Sequence, residues 1–454
     1  MTNFEQKKKT ALALFHKLKQ HKQVSLKPKS TTHFFRTRSK PNPFDLRSFN
    51  QVITVNTEEK YVEVEGLTTF YHLAEATLKH GYMPAVVPEL RNITIGGAIS
   101  GLGVEASSFR YGLVHENVTE MEILTGNGEA IKASAQENAD LFATVPNSLG
   151  TLGYVLKCKV RLIPIKKYVS VRFTRFTNAK AYFEEMKSTA KKQEADFLEG
   201  IVYGHEHFVL VVGSFTDELP DKEKLFNVQD QAWYRYVKDR RHDTAFFTTK
   251  SFLWRWDPDV YWGTAQPGLI GVALNNPLLR KTILRGLLRS DRLLRLNRFL
   301  DHNSLFVFLR KLQKKRVEPL VQDAGINIDL CAPFFEWYKK QIEIYPIWIC
   351  PVKTPEKKDF FPLYKKLGEF VVDIGFYASK KLKSGMPDNH YNKLVEEELM
   401  KLGAVKGLYS TSFYEWEDFW LSYDEKRYFE VKKKYDSENT FPNLYEKVVG
   451  KKTK

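Results

Sequence analysis

Cysteine is scarce in this 454-residue chain: Cys158, Cys331 and Cys350 stand far apart and have no metal-ligand spacing. No disulfide framework is available, so a reducing, cytoplasmic setting is expected, with each thiol a small core residue. Long apolar runs are also missing. At the amino end only Ala11–Phe15 is continuously apolar, too short for a signal-peptide core and far too short to span a membrane. Membrane contact is therefore expected to be peripheral. The histidines do not pair with carboxylates or cysteines at ligand spacing, so no metal site is expected. No phosphate loop of the GxxxxGK[ST] kind, GxSxG elbow or HExxH pair occurs. Gly101-Leu102-Gly103 is followed by Val104-Glu105-Ala106, without the third glycine that a dinucleotide fingerprint needs.

What is present is enough apolar and aromatic residue, 43% and 14% of the chain, to fill the cores of two or three domains. The net charge is +16 and unevenly spread: residues 280–316 hold twelve Lys or Arg against Asp291 and Asp301. Such a surface suits an anionic lipid, an anionic substrate or nucleic acid. No finger, homeodomain helix or aromatic RNA-reading strand accompanies it, so no nucleic acid partner is expected.

The chain is organised around Pro88–Gly112, where Gly96, Gly97, Gly101 and Gly103 fall within eight positions. Glycine at that density serves positive φ or close approach of backbone to another body, such as a flat anionic cofactor. A plain glycine-rich hairpin has the same composition. Further on, residues 138–164 run NADLFATVPNSLGTLGYVLKCKVRLIP, in which Gly150 and Gly153 enter an alternating strand.

The segments TIGG, SSFRYG, ENADLFATVPNSLGTLG and the strand ending RLIP resemble the flavin-binding domain of the vanillyl-alcohol-oxidase type. VVPEL, YPIWICP, FYEWEDFW and KKKYDSENTFPNLYEK extend that resemblance, most nearly to the delta-24 sterol reductase branch. It implies an α+β fold: an FAD-binding domain of two subdomains, and a substrate domain whose large antiparallel sheet is covered by helices. The expected boundaries are 1–165 for the FAD domain, 166–410 for the substrate domain and 411–454 for a C-terminal cap returning to the first domain. The substrate domain includes an excursion at 217–316 rich in Trp, Tyr and Phe.

By the same resemblance, FAD would lie against Ile95, Gly96, Gly97, Ala98, Ser100, Gly101 and Gly103. Ser107, Ser108, Tyr111 and Gly112 would complete its wall, and Gly150, Thr151, Gly153 and Val155 would pass near the adenine end. Familiar members have a glycine-rich first phosphate turn where this chain has residues 32–49, which contain no glycine. Arg36 and Arg38 there are the expected pyrophosphate partners, because guanidinium forks match phosphate oxygens. His33 and His115 both sit outside any attachment motif, so FAD is expected to be non-covalent.

Flavin carries the redox chemistry, and the protein must manage the proton. Glu105, Arg110, His115, Glu199, Tyr203, Tyr345, Tyr377 and Tyr409 are the acid–base candidates. Glu105 follows the glycine-rich loop at once, while Glu199 and Tyr203, four apart on a strand, share a face; these three are the expected catalytic groups. The expected reaction is reduction of a carbon–carbon double bond in a sterol-like or isoprenoid lipid, with NADPH as electron donor. Two alternatives stay open: an FAD-dependent alcohol oxidase or dehydrogenase, and a flavin-free lipid-binding or scaffold protein. Finally, the leucine and arginine spacing over Pro277–Leu300 predicts an amphipathic helix for an anionic membrane surface, with Gly286 a weak point for a bend or a division into two shorter helices.

Overall fold

The structure, a computed structural model, describes residues 2–20, 23–27, 42–220, 224–239, 243–259, 272, 274–282, 284, 286–293, 316–355, 360–364 and 368–450. A helix at Asn3–Lys19 opens the chain, its first turn capped by Thr2. Phe4, Ala11 and Phe15 are buried beneath it, whereas Leu14 points outward at 40% exposure. Its polar face is anchored as well: Lys7 reaches Glu65 at 2.9 Å and Lys8 reaches Glu122 at 2.8 Å. A short parallel pair follows, β1 (Ser25–Leu26) with β2 (Pro43–Phe44).

The first domain is built on β3 (Val52–Asn56), β4 (Tyr61–Glu65), β5 (Tyr82–Pro84), β6 (Val118–Leu124), β7 (Ala130–Ser134) and β8 (Tyr154–Pro164). They pair antiparallel in the order β3-β4-β8-β6-β7, with β5 on the far end of β8. The helix Phe70–Leu78 starts where Thr69 caps the N–H of His72, satisfying one of the orphan donors of a first helical turn. Hairpins and interposed helices, rather than regular βαβ units, define this α+β domain.

The second sheet has eight antiparallel strands: β9 (Tyr168–Phe176), β10 (Phe197–Gly204), β11 (His207–Thr216), β12 (Thr244–Thr248), β13 (Val317–Asn327), β14 (Ile347–Lys353), β15 (Phe370–Lys381) and β16 (Val405–Lys406). Their order is β12-β9-β11-β10-β14-β15-β13-β16. Side chains alternate across it, so each face has its own core. Leu198, Leu210, Ile349 and Val372 pack under Tyr182 and Phe183 of the helix Ala179–Lys192, Phe335 and Tyr338 of Cys331–Gln341, and Val395 of His390–Lys401. On the other face, Val171, Phe173, Ile201, Val209, Trp348 and Cys350 join the core of the first domain. One face covered by helices and one facing the FAD-type domain is the architecture expected from the sequence.

The carboxyl end returns to the first domain. Lys432 Nζ donates to the Thr151 carbonyl, Tyr428 donates its hydroxyl to Thr151 Oγ1 at 2.9 Å, and Thr440 donates to the Gly126 carbonyl.

A continuous helix over Pro277–Leu300 does not form across its described part. Asn276 caps a helix of only Pro277–Lys281, turns follow, Gly286 adopts φ +79° at the expected weak point, and helix resumes at 290–293. Arg280, within that short helix, is fully buried and donates to the carbonyls of Val228, Gln229 and Leu274 instead of facing solvent as its spacing predicted. Of the other arginines, Arg289 pairs with Asp291 at 2.9 Å.

Candidate flavin and substrate site

The glycine-rich segment folds into a short helix, Ile95–Gly101, capped by the Thr94 hydroxyl. Ile95, Ala98 and Ile99 face the core, while Arg91–Thr94, Gly96, Gly97 and Ser100–Val104 keep accessible surface. The result is an open trough with little side chain on its wall. Gly96 lies backbone to backbone on Gly66, with its N–H 2.8 Å from the Gly66 carbonyl. At Gly101 an added Cβ would meet only Leu149 Cδ2, at 3.7 Å, so the space there is kept free by the missing side chain. A cradle of that kind fits a flat cofactor lying on the backbone.

The other expected cofactor residues divide. Gly103 is packed in place by its N–H to the Ala98 carbonyl at 2.8 Å. Ser107 donates to the Ala85 carbonyl at 2.8 Å, tying the loop to the segment after β5, and Ser108 accepts from the Glu105 N–H at 3.1 Å, capping its own loop. The Tyr111 ring has the guanidinium groups of Arg110 and Arg161 at 5.8 and 5.4 Å from its centroid, and Gly112 has φ +72°. Gly150, Thr151, Gly153 and Val155 are buried, with Thr151 under the C-terminal helices. Arg36 and Arg38 lie outside the described residues, as does His33. His115 is buried and meets Phe361 edge-on.

Glu105 and Glu199 are brought together, on a partner that sequence reasoning missed. Arg255, fully buried, donates from Nη2 to Glu105 Oε1 at 2.5 Å and to Glu199 Oε2 at 2.8 Å, and from Nε to Glu199 Oε1 at 2.9 Å. Trp348 and Trp256 add their indole N–H groups to Glu199 Oε2 at 2.9 and 3.0 Å. Burial works to raise the Glu199 pKa, but the Arg255 guanidinium and the indole donors outweigh it and hold it below the usual carboxylate range. For Glu105 burial prevails, only partly offset by Arg255, and its pKa is raised. A carboxylate surrounded by donors is fixed in place and a poor source of protons. Tyr203 does share the face of Glu199, but its hydroxyl donates to the Tyr234 carbonyl.

A second clasp lies two residues further along the same excursion. Asp257 binds Arg91 by a 2.5 Å ion pair and a 3.0 Å bond from the Arg91 backbone N–H. Ser290 also donates to Asp257, at 2.5 Å. The turn Arg255–Asp257 thus grips the glycine-rich segment at both ends, while Trp233, Phe247, Phe252 and Trp254 bury their rings around it.

Beside this, on the same face of the sheet, lies an acidic group that sequence reasoning also missed. Asp323 on β13 stands opposite Gly375 on β15, and Asp373 stands opposite Gly325. Tyr377 donates its hydroxyl to Asp323 Oδ1 at 2.6 Å, and Tyr409 reaches Tyr377 at 3.4 Å. Burial pushes the Asp323 carboxyl up to about 6, against the lowering effect of the Tyr377 and Tyr409 hydroxyls. Asp373 is raised well above its ordinary value by burial and by the charges of Asp323 and Glu89. Glu89, entering from the first domain just ahead of the glycines, is raised by burial and then by Glu105 and Asp323. The available sequence signal was a repeated pattern, Asp-x-Gly at 323–325 and at 373–375, placing an acid and a side-chain gap inside apolar strands.

The α+β first domain and the helix-covered antiparallel sheet, joined by the clasp, match an FAD-binding architecture of the vanillyl-alcohol-oxidase type. Residues 42–134 match the family model described as FAD binding domain. At low identity the chain is similar to delta-24 sterol reductases. It is 28% identical over 403 residues to the Delta(24)-sterol reductase of Homo sapiens, covering 87% of this chain and 76% of that one. The Arabidopsis thaliana Delta(24)-sterol reductase is 25% identical over 449 residues, 90% of this chain and 77% of its own. Cytokinin dehydrogenase 9 of Oryza sativa subsp. japonica matches more narrowly, 34% over 148 residues, 31% of this chain and 27% of its own.

Proposed function

We propose that this protein is an FAD-dependent reductase of a carbon–carbon double bond in a sterol-like or isoprenoid lipid, with NADPH as electron donor. The observation that carries the reading is the reach of the similarity. A match over 87% of the chain must include the substrate sheet, whereas the match to the cytokinin dehydrogenase covers under a third. Reduced FAD, when bound, supplies a hydride. Non-covalent FAD would rest on the trough of Gly97, Ser100 and Gly101, with Arg36 and Arg38 at its pyrophosphate. Arg255, Glu105 and Glu199 would hold the trough against the sheet, and the surrounding indole and phenyl rings would keep water out of the reacting space.

An apolar substrate has to leave a membrane without crossing water. In this proposal the basic segment Pro277–Leu300 meets anionic headgroups at the cytoplasmic face, with Leu278 and Leu287, 71% and 47% exposed, as its apolar contacts. No helix among the described residues is long and apolar enough to cross a membrane.

Anaerobic mixing of the purified yellow protein with NADPH tests the reading. Rapid bleaching, reversed by an isoprenoid alkene, is the expected result. Bleaching only by a hydroxylated compound would make it an alcohol oxidase or dehydrogenase, and a protein that neither carries nor takes up FAD would be a lipid-binding scaffold.

A further inference from the structure

We propose that Asp323 is the general acid of this site, with Tyr377 and Tyr409 as the hydroxyl groups that position it and donate hydrogen bonds to its carboxylate. The inference rests on the reductase reading for its substrate, an apolar alkene, and on geometry for its place. Asp323 lies in the middle of β13, on the sheet face that turns toward the first domain. Its neighbour across the strand is Gly375, where an added Cβ would stand 2.8 Å from Asp323 Oδ1. The missing side chain therefore makes the room in which this carboxyl sits. Gly407 borders it from the other side, where a Cβ would come within 3.3 Å of Asp323 Cβ. The two glycines thus seat one carboxyl, beside the Tyr377 and Tyr409 rings, on a sheet face otherwise carrying Val321, Trp348 and Cys350.

Among the described residues, the titratable groups facing Asp323 are acids and neutral hydroxyls. Asp373 comes from β15, Glu89 from the loop ahead of the glycines, and Tyr377 and Tyr409 from β15 and the turn after β16. Beyond Glu89 lies Arg255, already shared by Glu105 and Glu199. Three mutually repelling carboxyls with no ion pair of their own among the described residues favour retaining a proton among them. Asp323 is the member with hydroxyl donors ready for its carboxylate, while Asp373 Oδ2 has no partner among the described residues. This makes Asp323 the one that gives up the proton at least cost.

The step balances. The alkene π bond breaks; one carbon takes the hydride, with its electron pair, from reduced flavin, which is reoxidised. The other carbon bonds the proton released from the Asp323 O–H bond. The electron pair of that O–H bond remains on the carboxylate, which accepts hydrogen bonds from Tyr377 and Tyr409 until a solvent proton returns.

The test follows reoxidation of NADPH-reduced holoenzyme by an isoprenoid alkene without oxygen, beside infrared titration of carboxyl groups in the same proteins. In wild type, reoxidation should be fast in acid and fall as pH rises through about 6. Asp323→Asn should retain FAD and its rate of bleaching by NADPH, slow reoxidation by about 10²–10⁴-fold and lose that pH dependence. Tyr377→Phe, which takes one donor from the carboxylate, should move the fall to higher pH and shift the carboxyl band. A band that titrates near the same pH in wild type and is missing in Asp323→Asn supports the site whatever the substrate. Reoxidation of Asp323→Asn at the wild-type rate, or the absence of such a band, would overturn the assignment. If the band is present but no alkene reoxidises the flavin, the reductase reading falls and the proton site stands.

Discussion

Leu198 donates its backbone N–H to the Ala106 carbonyl at 2.8 Å, tying β10 directly to the exit of the glycine-rich segment. Each residue is the chain neighbour of a buried acid, Glu199 in one case and Glu105 in the other. That single bond fixes the two carboxylates on either side of one guanidinium, and Arg255 is drawn from the excursion to neutralise them. The contact between domains is thus polar at its centre and aromatic at its rim.

Removing Arg255 should therefore cost far more than a surface charge. Arg255→Met leaves two carboxylates buried without a cation, and breaking such a pair costs about 3–5 kcal/mol. Urea unfolding should show that decrease. Adding Glu105→Gln and Glu199→Gln to the same protein should recover at least half, because the uncompensated charge is then gone. Equal stability of Arg255→Met and wild type would show that the clasp contributes nothing.

Much of this framework was legible in the sequence because local signals and tertiary structure agree. The helix Ala179–Lys192, the hairpin of β10 and β11, and a cap at Thr68 or Thr69, of which Thr69 is the one used, follow from periodicity and capping chemistry. The same-face placement of Glu199 and Tyr203 follows from strand alternation alone. Arg255 was not legible, since nothing local to Trp254-Arg255-Trp256 says that its partners lie 150 and 56 positions away. Arg280 failed for the same reason: its helical spacing counted it as solvent-facing, and only the carbonyls of a distant turn draw it inward. Asp323 was hidden because β13 carries no strand signal strong enough to stand alone, so its pairing with the Asp-x-Gly of β15 could not be seen.

Stability should respond to pH through Asp323. Its folded pKa, about 6, lies above the ordinary carboxylate value of about 3.9. Between those values the folded state binds more protons than the unfolded one, so this group's contribution is full below the lower value and is lost as pH rises through the upper one. The melting temperature of wild type should fall relative to that of Asp323→Asn from pH 4 to about 7, as the folded carboxyl ionises. Parallel curves for the two proteins across that range would place the folded pKa at its ordinary value.

Flavin binding should be separable from folding at Gly101. Its position closes a helix, its φ is not in the left-handed region, and the nearest atom to an added Cβ is Leu149 Cδ2 at 3.7 Å. Gly101→Ala should therefore leave the apoprotein as stable as wild type or up to about 1 kcal/mol more stable, since alanine is the better helix former. The added methyl projects into the trough, so FAD affinity should fall. Arg36→Ala with Arg38→Ala should also weaken FAD binding, by about 1.5–3 kcal/mol for each buried charge-assisted hydrogen bond removed. Titration of FAD into apoprotein measures both. Undiminished affinity in Gly101→Ala would move the flavin off this wall.

The basic segment gives a prediction in which structure and composition disagree. By charge count, Arg280 is one of a row of cations available to an anionic surface. By structure it is a fully buried guanidinium that draws together three carbonyls, those of Val228, Gln229 and Leu274. Burial lowers its pKa, and with no carboxylate within hydrogen-bond reach among the described residues, those carbonyls are its direct partners. Hydrogen bonds from a charged donor contribute about 1.5–3 kcal/mol each, so Arg280→Gln, which reaches fewer acceptors, should destabilise by about 3 kcal/mol. Arg292→Gln removes a charge whose Nη1 touches only the Gly286 carbonyl among the described residues, and should change stability by under about 0.5 kcal/mol. Liposome co-sedimentation should reverse the ranking. Arg292→Gln should reduce recovery with anionic vesicles at low salt, and Arg280→Gln, measured below its melting transition, should not. If both variants lose vesicle binding equally while folded, Arg280 must swing outward at the membrane, and the inward-facing arrangement would be only one of two states.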